Sequence, residues 1–164
     1  MIKVAILTLS DKGSKGERKD TSGPAIKRML KNIDAEVISC DILPDEKALI
    51  KKKLISLCRT ADLILTTGGT GVSPRDVTPE ATREVIQMEI PGIAEAMRMK
   101  GLKKTPFAML SRAVAGVRGK TLIINLPGSP AAVKENLSVI LSCIPHAVEK
   151  IQGSNKECAR IKVK

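Results

Sequence analysis

Residues 63–80 have the sequence Leu63-Ile64-Leu65-Thr66-Thr67-Gly68-Gly69-Thr70-Gly71-Val72-Ser73-Pro74-Arg75-Asp76-Val77-Thr78-Pro79-Glu80, and this segment decides the fold. It begins with an apolar run that is typical of a buried strand. Three glycines follow, which allow the backbone to turn with positive φ and to bring its N–H groups close to a ligand. Thr78 is a suitable N-cap and Pro79 suits the first turn of a helix. A strand, a glycine-rich turn and a helix start together predict a cradle for an anion.

The sequence on both sides of this segment alternates between strand and helix patterns. Strands are predicted at 2–9, 36–42, 62–67 and 121–126. Helices are predicted at 22–33, 44–59, 79–88, 92–100, 130–142 and 145–152, whereas 107–114 is ambiguous and favours an extended segment. Strands that alternate with helices need crossover connections, so we expect a mostly parallel sheet with helices on both faces. Residues 1–152 are predicted to form a single domain and 153–164 a C-terminal tail.

Composition limits the classes of partner. The 164 residues suit one domain, and the formal net charge of +11 favours an anionic partner. Nucleic acid is disfavoured, because one Phe and no Tyr or Trp leave no platform on which single-stranded bases could stack. The sequence has no apolar run of about 18 residues and no cleavable signal pattern, so we expect no membrane association and a cytoplasmic location.

The cysteine and histidine content argues against a structural zinc site. None of the four cysteines belongs to a Cys-x-x-Cys pair, and His146 is the only histidine. Cys40, Cys58 and Cys143 lie within apolar patterns and are predicted to be small core residues. His146 opens the last predicted helix and is interpreted as a structural residue.

Four segments leave the carboxyl ends of the predicted strands: 10–16, 44–45, 66–76 and 127–130. Ligands of open α/β sheets bind beyond this edge, so we expect the polar residues of these segments to converge. Segment 10–16 is either a mobile surface loop or a flap that brings Lys12 or Lys15 near a phosphate. Segment 127–130 is either an ordinary strand-to-helix connection or the second jaw of a phosphate site.

Two carboxylates stand out within these segments. Asp76, next to Arg75 in the glycine-rich turn, is predicted to hold Mg²⁺ near phosphates. Asp45 either serves the same site or stabilises the start of the following helix. No Ser-His-Asp or Cys-His arrangement can be assembled, and attack by an anionic phosphate oxygen is a reaction that needs no general base. The residues alone therefore favour phosphoryl or nucleotidyl transfer, with Ser111 and Arg112 interpreted as structural.

Several motifs together resemble one family. They are residues 66–71 with 74–82, Ser10-Asp11 with Asp20 and Ser22-Gly23-Pro24, Leu43-Pro44-Asp45-Glu46, Leu110-Ser111-Arg112-Ala113 and Leu126-Pro127-Gly128-Ser129-Pro130. Over residues 2–152 the chain resembles the molybdopterin adenylyltransferases of molybdenum cofactor biosynthesis, the MogA/MoaB-like proteins and the gephyrin G domain. The resemblance implies a three-layer α/β sandwich of the MogA/MoaB-like, Rossmann-like type, usually assembled as a homotrimer.

The same resemblance implies a reaction and a set of site residues. The reaction is transfer of AMP from Mg·ATP to the terminal phosphate of molybdopterin with release of pyrophosphate, followed by hand-over to a molybdate-insertion protein. Asp45 and Asp76 are implied as the catalytic acids, and Asp76 as the metal ligand. Contacts with the pterin or the nucleotide are implied for Ser10, Thr67, Gly68, Gly69, Thr70, Gly71, Ser111, Pro127, Gly128 and Ser129. The alternative is a molybdopterin-binding carrier or scaffold that uses the same residues without turnover.

Overall fold

A six-stranded sheet organises the protein, whose computed structural model describes residues 1–155. The strands are β1 (Ile2–Leu9), β2 (Ala35–Leu43), β3 (Leu63–Thr67), β4 (Met88–Glu89), β5 (Ala115–Arg118) and β6 (Thr121–Leu126). The helices are α1 (Asp11–Ser14), α2 (Ser22–Leu30), α3 (Lys47–Leu57), α4 (Thr78–Arg83), α5 (Pro91–Leu102), a 3₁₀ helix (Pro106–Leu110), α6 (Pro130–Ile140) and α7 (Ile144–Ile151). No helix within residues 1–155 has the length and apolar character needed to cross a membrane.

The strand order across the sheet is β2-β1-β3-β6-β5-β4, and the first four strands in that order run parallel. In the central strand β3, Ile64 lies opposite Ala5 on one side and Ile123 on the other. β5 runs antiparallel to β6, and β4 runs antiparallel to β5. The prediction of a mostly parallel α/β sheet is confirmed. β4 and β5 are too short to show a strand pattern in the sequence.

Successive residues of the central strands point to opposite faces and therefore enter two separate cores. Leu65 and Ile124 pack against α2, α5, α6 and α7 on one face. Ile64 and Ile123 pack against α3 and α4 on the other face. All four side chains are fully buried, and burial of each contributes about 1.5–3 kcal/mol relative to exposure. This arrangement is the three-layer sandwich that the resemblance implies.

The helices next to the site are shorter than the sequence predicts. α4 ends at Arg83 rather than at 88, because the chain turns and then pairs Met88 with Val117 in the sheet. α3 begins at Lys47 rather than at 44 and ends at Leu57 rather than at 59, and its first turn contains no acidic residue. The loop between β2 and α3 is therefore three residues longer than predicted, which leaves residues 44–46 as loop backbone at the carboxyl edge of the sheet.

The expected extended segment at 107–114 is wrong for its first part. Residues 106–110 form a 3₁₀ helix that begins with Pro106, and the Thr105 hydroxyl accepts a hydrogen bond from the N–H of Phe107 over 3.3 Å. Pro106 presets a helical φ and Thr105 supplies the cap, so this short helix has a local signal in the sequence.

Two cysteines predicted to be core residues are exposed. Cys40 lies on the edge strand β2, whose register with β1 shifts between Val4 and Ala5. Cys143 lies at the junction of α6 and α7, whereas Cys58 is half-buried after α3. The prediction is wrong for the first two because apolar sequence neighbours do not reveal that an edge strand or a helix junction lacks a covering layer. Residue 158, the fourth cysteine, lies outside the described residues.

Candidate active site

The four segments at the carboxyl edge come together in the structure. The N–H of Ser10 donates to the carbonyl of Leu43 over 2.9 Å, which joins the ends of β1 and β2. The N–H of Gly68 donates to the carbonyl of Leu126 over 3.2 Å, which joins the ends of β3 and β6. The hydroxyl of Thr67, one of the implied binding residues, donates to the carbonyl of Pro127 over 2.7 Å. The segments therefore share one continuous rim.

Gly68 and Gly69 form a turn that no other residue fits. Their φ values are +101° and +62°. A Cβ on Gly68 would lie 2.3 Å from the carbonyl oxygen of Leu9, and a Cβ on Gly69 would lie 2.4 Å from Thr78 Oγ1. The Thr78 hydroxyl donates to the carbonyl of Gly68 over 2.9 Å, and the N-cap of α4 is Val77. The prediction of Thr78 as N-cap is wrong, because this hydroxyl fixes the glycine-rich loop instead.

The glycine-rich loop carries donors that the protein itself does not use. Within residues 1–155, the backbone N–H groups of Gly69, Thr70 and Gly71 donate to no protein acceptor. Successive unpaired N–H groups of this kind form concavities that bind phosphate oxygens. The loop therefore has the chemistry of the anion cradle that the sequence predicts.

The turn between β6 and α6 lies directly against this loop. A Cβ on Gly128 would lie 3.4 Å from the Cα of Gly68. The hydroxyl of Ser22, at the start of α2, donates to the carbonyl of Gly128 over 2.6 Å. Ser129 caps α6 as predicted, because its Oγ accepts from the N–H of Ala132 over 3.2 Å. The two turns are adjacent jaws of one cleft.

Two cavities flank the jaws, and seven of the ten implied binding residues line one or the other. The first has a volume of about 360 Å³ and is lined by Ser10, Gly128, Ser129, Arg18, Lys19 and other polar residues. The second has a volume of about 280 Å³ and is lined by Thr70, Gly71, Ser111, Pro127 and the apolar side chains of Met97 and Leu110, among others. Lys12 of α1 and Lys15, which directly follows α1, are exposed nearby. The jaws therefore lie between two cavities, one lined by basic and polar side chains and one lined in part by apolar side chains.

Asp11 holds Asp45 in the site. The N–H of Asp11 donates to Asp45 Oδ2 over 3.1 Å, and the N–H of Asp45 donates to Asp11 Oδ1 over 3.0 Å. Asp45 Oδ1 is buried without a hydrogen-bond partner within residues 1–155, and it lies 2.9 Å from the position that a Cβ on Gly69 would take. Asp45 lies two residues before α3, whose N-cap is Glu46, and its side chain makes no capping hydrogen bond to the helix.

The environment of Asp45 disfavours its charged form. Burial is the main cause that raises the pKa of Asp45, and the negative charges of Asp11 and Asp76 raise it further. The hydrogen bond from the N–H of Asp11 and the positive charge of Arg75 oppose this rise. A carboxylate that is partly desolvated, with one oxygen unpaired, is a strong ligand for a cation that enters the site.

Asp76 lies on the glycine-rich loop itself. Its Oδ2 accepts from the N–H of Ser73 over 2.9 Å and lies 2.9 Å from the position that a Cβ on Gly71 would take. The neighbouring Arg75 pairs with Asp11, because its Nε and Nη2 donate to the two carboxylate oxygens over 3.0 and 2.8 Å. This pairing lowers the pKa of Asp11. Asp76 has no salt-bridge partner within residues 1–155.

Arg112, interpreted as structural from the sequence, holds the loop that carries Asp76. Its backbone N–H donates to the carbonyl of Thr70 over 2.9 Å. Its guanidinium donates to the carbonyls of Gly71 and Asp76, each over 2.6 Å, and pairs with Glu80 of α4. Sequence reasoning missed this role. An arginine among apolar residues was the signal for it, because such a guanidinium is partly buried and then needs several hydrogen-bond acceptors.

Asn125 supports the same loop from within the core. Its side chain is fully buried on β6. Its Nδ2 donates to the hydroxyls of Thr66 and Thr82 over 3.0 and 2.9 Å, and its Oδ1 accepts from the N–H of Val114 over 3.2 Å. One amide therefore joins β3, α4 and the segment that leads from Arg112 into β5.

The donor set fits a divalent cation that is also bound by phosphate. Within residues 1–155 no cluster of three or more Asp, Glu, His or Cys side chains could hold a metal ion alone. Mg²⁺ usually takes one or two carboxylates and completes its coordination with substrate phosphates and water. Asp45, with its unpaired oxygen, and Asp76 supply such carboxylates beside the cradle.

Comparison with known proteins identifies the family. Residues 5–146 match the family described as a probable molybdopterin binding domain. The chain is 45% identical over 157 residues to a molybdopterin adenylyltransferase of Helicobacter pylori J99, covering 93% of this chain and 89% of that protein. It is 34% identical over 174 residues to the molybdopterin adenylyltransferase of Escherichia coli K12, covering 96% and 89%. The solved molybdopterin biosynthesis enzyme MoaB of Thermus thermophilus has a TM-score of 0.89 and 53% identity, covering 94% of this chain and 98% of that one.

These similarities confirm the resemblance and the fold that the sequence motifs imply. The family match extends from β1 into α7 and includes both jaws, Asp45, Asp76 and Arg112. The full-length relatives of similar size carry the name of a nucleotidyltransferase. The chain belongs to the molybdopterin-binding family of molybdenum cofactor biosynthesis.

Proposed function

We propose that this protein adenylylates molybdopterin, with Mg·ATP as the donor and pyrophosphate as the second product. The observation that carries the proposal is the buried, unpartnered Oδ1 of Asp45 beside the unpaired N–H groups of Gly69, Thr70 and Gly71 within residues 1–155. Buried polar groups without partners are uncommon in folded proteins, and a ligand that contains a cation and phosphates satisfies both sets at once. The names of the similar full-length proteins support the same reaction.

The proposed chemistry depends on position and charge. An oxygen of the terminal phosphate of molybdopterin attacks the α-phosphorus of ATP. The bond from that phosphorus to the bridging oxygen breaks, and pyrophosphate leaves with the electron pair. The attacking oxygen is already anionic at neutral pH, so no side chain has to remove a proton. This agrees with the sequence, in which no nucleophile and base pair can be assembled.

The chain's own residues divide this work between them. The N–H groups of Gly69, Thr70 and Gly71 bind phosphate oxygens and orient them for in-line attack. Asp45 and Asp76 would hold the cation, and Mg²⁺ would supply positive charge against the negative charge that develops on the phosphates. Arg18 and Lys19, which line the cavity next to Ser10 and Gly128, reduce the repulsion between two anionic ligands.

A carrier without turnover is the competing function. It needs the pterin-binding cavity and the jaws, but it needs no cation at Asp45. The cost of keeping the Asp45 oxygen buried and unpaired favours the enzyme, since a carrier gains nothing from that arrangement.

The assembly and the cellular context are part of the same proposal. We expect a homotrimer, a cytoplasmic location and transfer of the product to a molybdate-insertion protein. Met99, Phe107 and Met109 support association between copies, because these large apolar side chains are 67%, 75% and 63% exposed on α5 and the 3₁₀ helix. Light scattering checks the assembly, and a monomer at micromolar concentrations would contradict it.

The decisive experiment supplies molybdopterin, ATP and Mg²⁺ to the purified protein and follows pyrophosphate with a coupled assay. We expect pyrophosphate and an adenylylated pterin in equal amounts, and no product when Mg²⁺ is omitted. The control variant is Asp34→Asn, because Asp34 precedes β2 at the opposite edge of the sheet and pairs with the N-terminal amine. Tight binding of the pterin without pyrophosphate at any Mg·ATP concentration would establish the carrier instead.

A further inference from the structure

Arg75 pairs in this structure with the carboxylate of Asp11, which offers two oxygens to the guanidinium as a phosphate does. Nε and Nη2 of Arg75 donate to the two oxygens of Asp11 over 3.0 and 2.8 Å. The Arg75 side chain makes no other hydrogen bond within residues 1–155. The side chains are 60% and 37% exposed, so the pair is open to solvent at the rim of the site. A guanidinium binds a phosphate through the same parallel pair of donors.

The position of Arg75 brings it within reach of the ligands that the cradle binds. It directly precedes Asp76, and it follows the unpaired N–H groups of residues 69–71 along the same loop. Its positive charge acts on Asp45, which it helps to keep ionised. A phosphate chain that contacts both the loop and a cation at Asp45 therefore passes close to Arg75.

Asp11 has a second partner that remains when Arg75 leaves. The N–H of Asp45 donates to Asp11 Oδ1 over 3.0 Å, a bond that does not involve Arg75, and the Asp11 side chain is 37% exposed. Exposed ion pairs contribute little to folding stability, so separation of this pair is not costly. Asp11 therefore holds Arg75 only weakly, and Asp11 keeps its hydrogen bond from Asp45 when Arg75 moves away.

We propose that Asp11 occupies Arg75 in place of a substrate phosphate, and that a phosphate of a di- or triphosphate chain takes over Arg75 when it binds. One charged pair is exchanged for another, so the guanidinium is paired in both states. Asp11 is then a positioning residue that presents Arg75 and at the same time competes with the substrate for it. The inference rests on the proposed function for the identity of the molecule that carries the phosphates and for the cation at Asp45.

Inorganic pyrophosphate, titrated calorimetrically in the presence of Mg²⁺, is the probe. Asp11→Asn removes the charge but keeps an acceptor for the N–H of Asp45. We expect pyrophosphate to bind about threefold more tightly to Asp11→Asn, because an exposed competing ion pair is lost. We expect it to bind at least about tenfold more weakly to Arg75→Gln, which lacks the charged donors. The gain from Asp11→Asn should vanish in the double variant.

Glu46→Gln is the matched control for charge alone. Glu46 is exposed and its charge acts on Arg75, but the two side chains share no hydrogen bond within residues 1–155. An equal gain in Glu46→Gln, or a gain from Asp11→Asn that persists without Arg75, would overturn the proposal in favour of a general charge effect. Weaker binding to Asp11→Asn at an unchanged thermal midpoint would also overturn it.

The same titration separates this inference from the proposed function. Pyrophosphate binding requires no turnover. If the wild type adenylylates molybdopterin, and Arg75→Gln binds pyrophosphate as tightly as the wild type, the inference alone is refuted. A wild-type protein that binds pyrophosphate through Arg75 but forms no adenylylated product supports the inference and refutes the enzyme. Where turnover occurs, the KM for ATP of Asp11→Asn, Arg75→Gln and the double variant should follow the order of their pyrophosphate affinities.

Discussion

Two strand–turn–helix units meet at the site, and they are stabilised in different ways. The β6–α6 unit has a short turn, and Ser129 caps the helix that follows it while Pro130 occupies the first helical turn. The β3–α4 unit has a longer loop, residues 68–77, and α4 has no side-chain cap. Its stability comes from Thr78, which bonds back to Gly68, and from Arg112, which lies far along the chain.

The difference separates a unit that is fixed locally from one that is fixed by distant residues. The β6–α6 turn contains the signals for its own conformation. The loop that carries Asp76 depends on the guanidinium of Arg112 and on the buried amide of Asn125. Substitutions in the two units should therefore have different consequences. Three variants test this from the largest expected effect to the smallest, and a fourth, in α7 outside both units, is the reference.

Asp76→Asn should abolish most of the turnover while the fold remains intact. The variant keeps an acceptor for the N–H of Ser73, so the loop conformation should persist. Loss of the charge removes stabilisation of the cation and of the transition state, and we expect kcat to fall by about 10²-fold or more. Steady-state kinetics with saturating Mg·ATP, together with a thermal melt, checks both statements. A rate near that of the wild type would remove Asp76 from the mechanism.

Arg112→Ala should damage both stability and activity, because it releases the loop from a distance. Three hydrogen-bond partners lose their donor, and we expect unfolding free energy to fall by about 2–3 kcal/mol. Arg112→Lys should restore little, since an ammonium group cannot reach the acceptors that the planar fork contacts. Urea denaturation and the pyrophosphate assay provide the measurements. The control is Arg118→Lys, whose arginine donates to Val85 away from the loop; if it lowers kcat equally, the role assigned to Arg112 is wrong.

Ser129→Ala should act mainly on stability, because its unit is fixed locally. Removal of a serine N-cap costs about 1 kcal/mol, and the helix α6 keeps Pro130 in its first turn. We expect a smaller loss of kcat than in Arg112→Ala. Chemical denaturation measures the first quantity and the coupled assay the second. The contrast between the two units would fail if Ser129→Ala lost more activity than Arg112→Ala.

His146→Ala should have the smallest effect. His146 is exposed near the start of α7, and the end of that helix bonds to Asp62 at the opposite edge of the sheet through Gln152. Since an anionic phosphate nucleophile needs no base, kcat should stay within about twofold of the wild type. The pH profile of the variant is the measurement. If the variant loses its activity and its pH–rate profile also loses a limb near neutral pH, the base-free mechanism is wrong.

The sequence predicts those parts of the structure that depend on neighbouring residues. The parallel strands, the positive φ of Gly68 and the Ser129 cap all follow from local patterns. The pairing of Arg75 with Asp11 and the role of Arg112 join segments that are distant in sequence, and no periodicity encodes such contacts.

The boundaries of α4 and the environments of the cysteines show the same limit. α4 ends early because the chain must return to pair with β5, which is a tertiary requirement. Cys40 and Cys143 are exposed because no element within residues 1–155 covers their positions, although their sequence neighbours are apolar. In both cases the packing of the layers decides the outcome, and the pattern of neighbouring residues does not show it.

Hydrogen exchange at the side-chain amide of Asn125 can report local opening beneath the site. Its two nitrogen-bound protons are each held by a threonine hydroxyl, one on β3 and one on α4, in a place that solvent does not reach. Deuterium can replace them only when β3 and α4 separate locally, so the exchange rate measures how often this part of the core opens beneath the glycine-rich loop. A ligand that bridges the jaws should slow this exchange, and a nuclear magnetic resonance signal from a single side chain would then report occupancy without any label on the substrate.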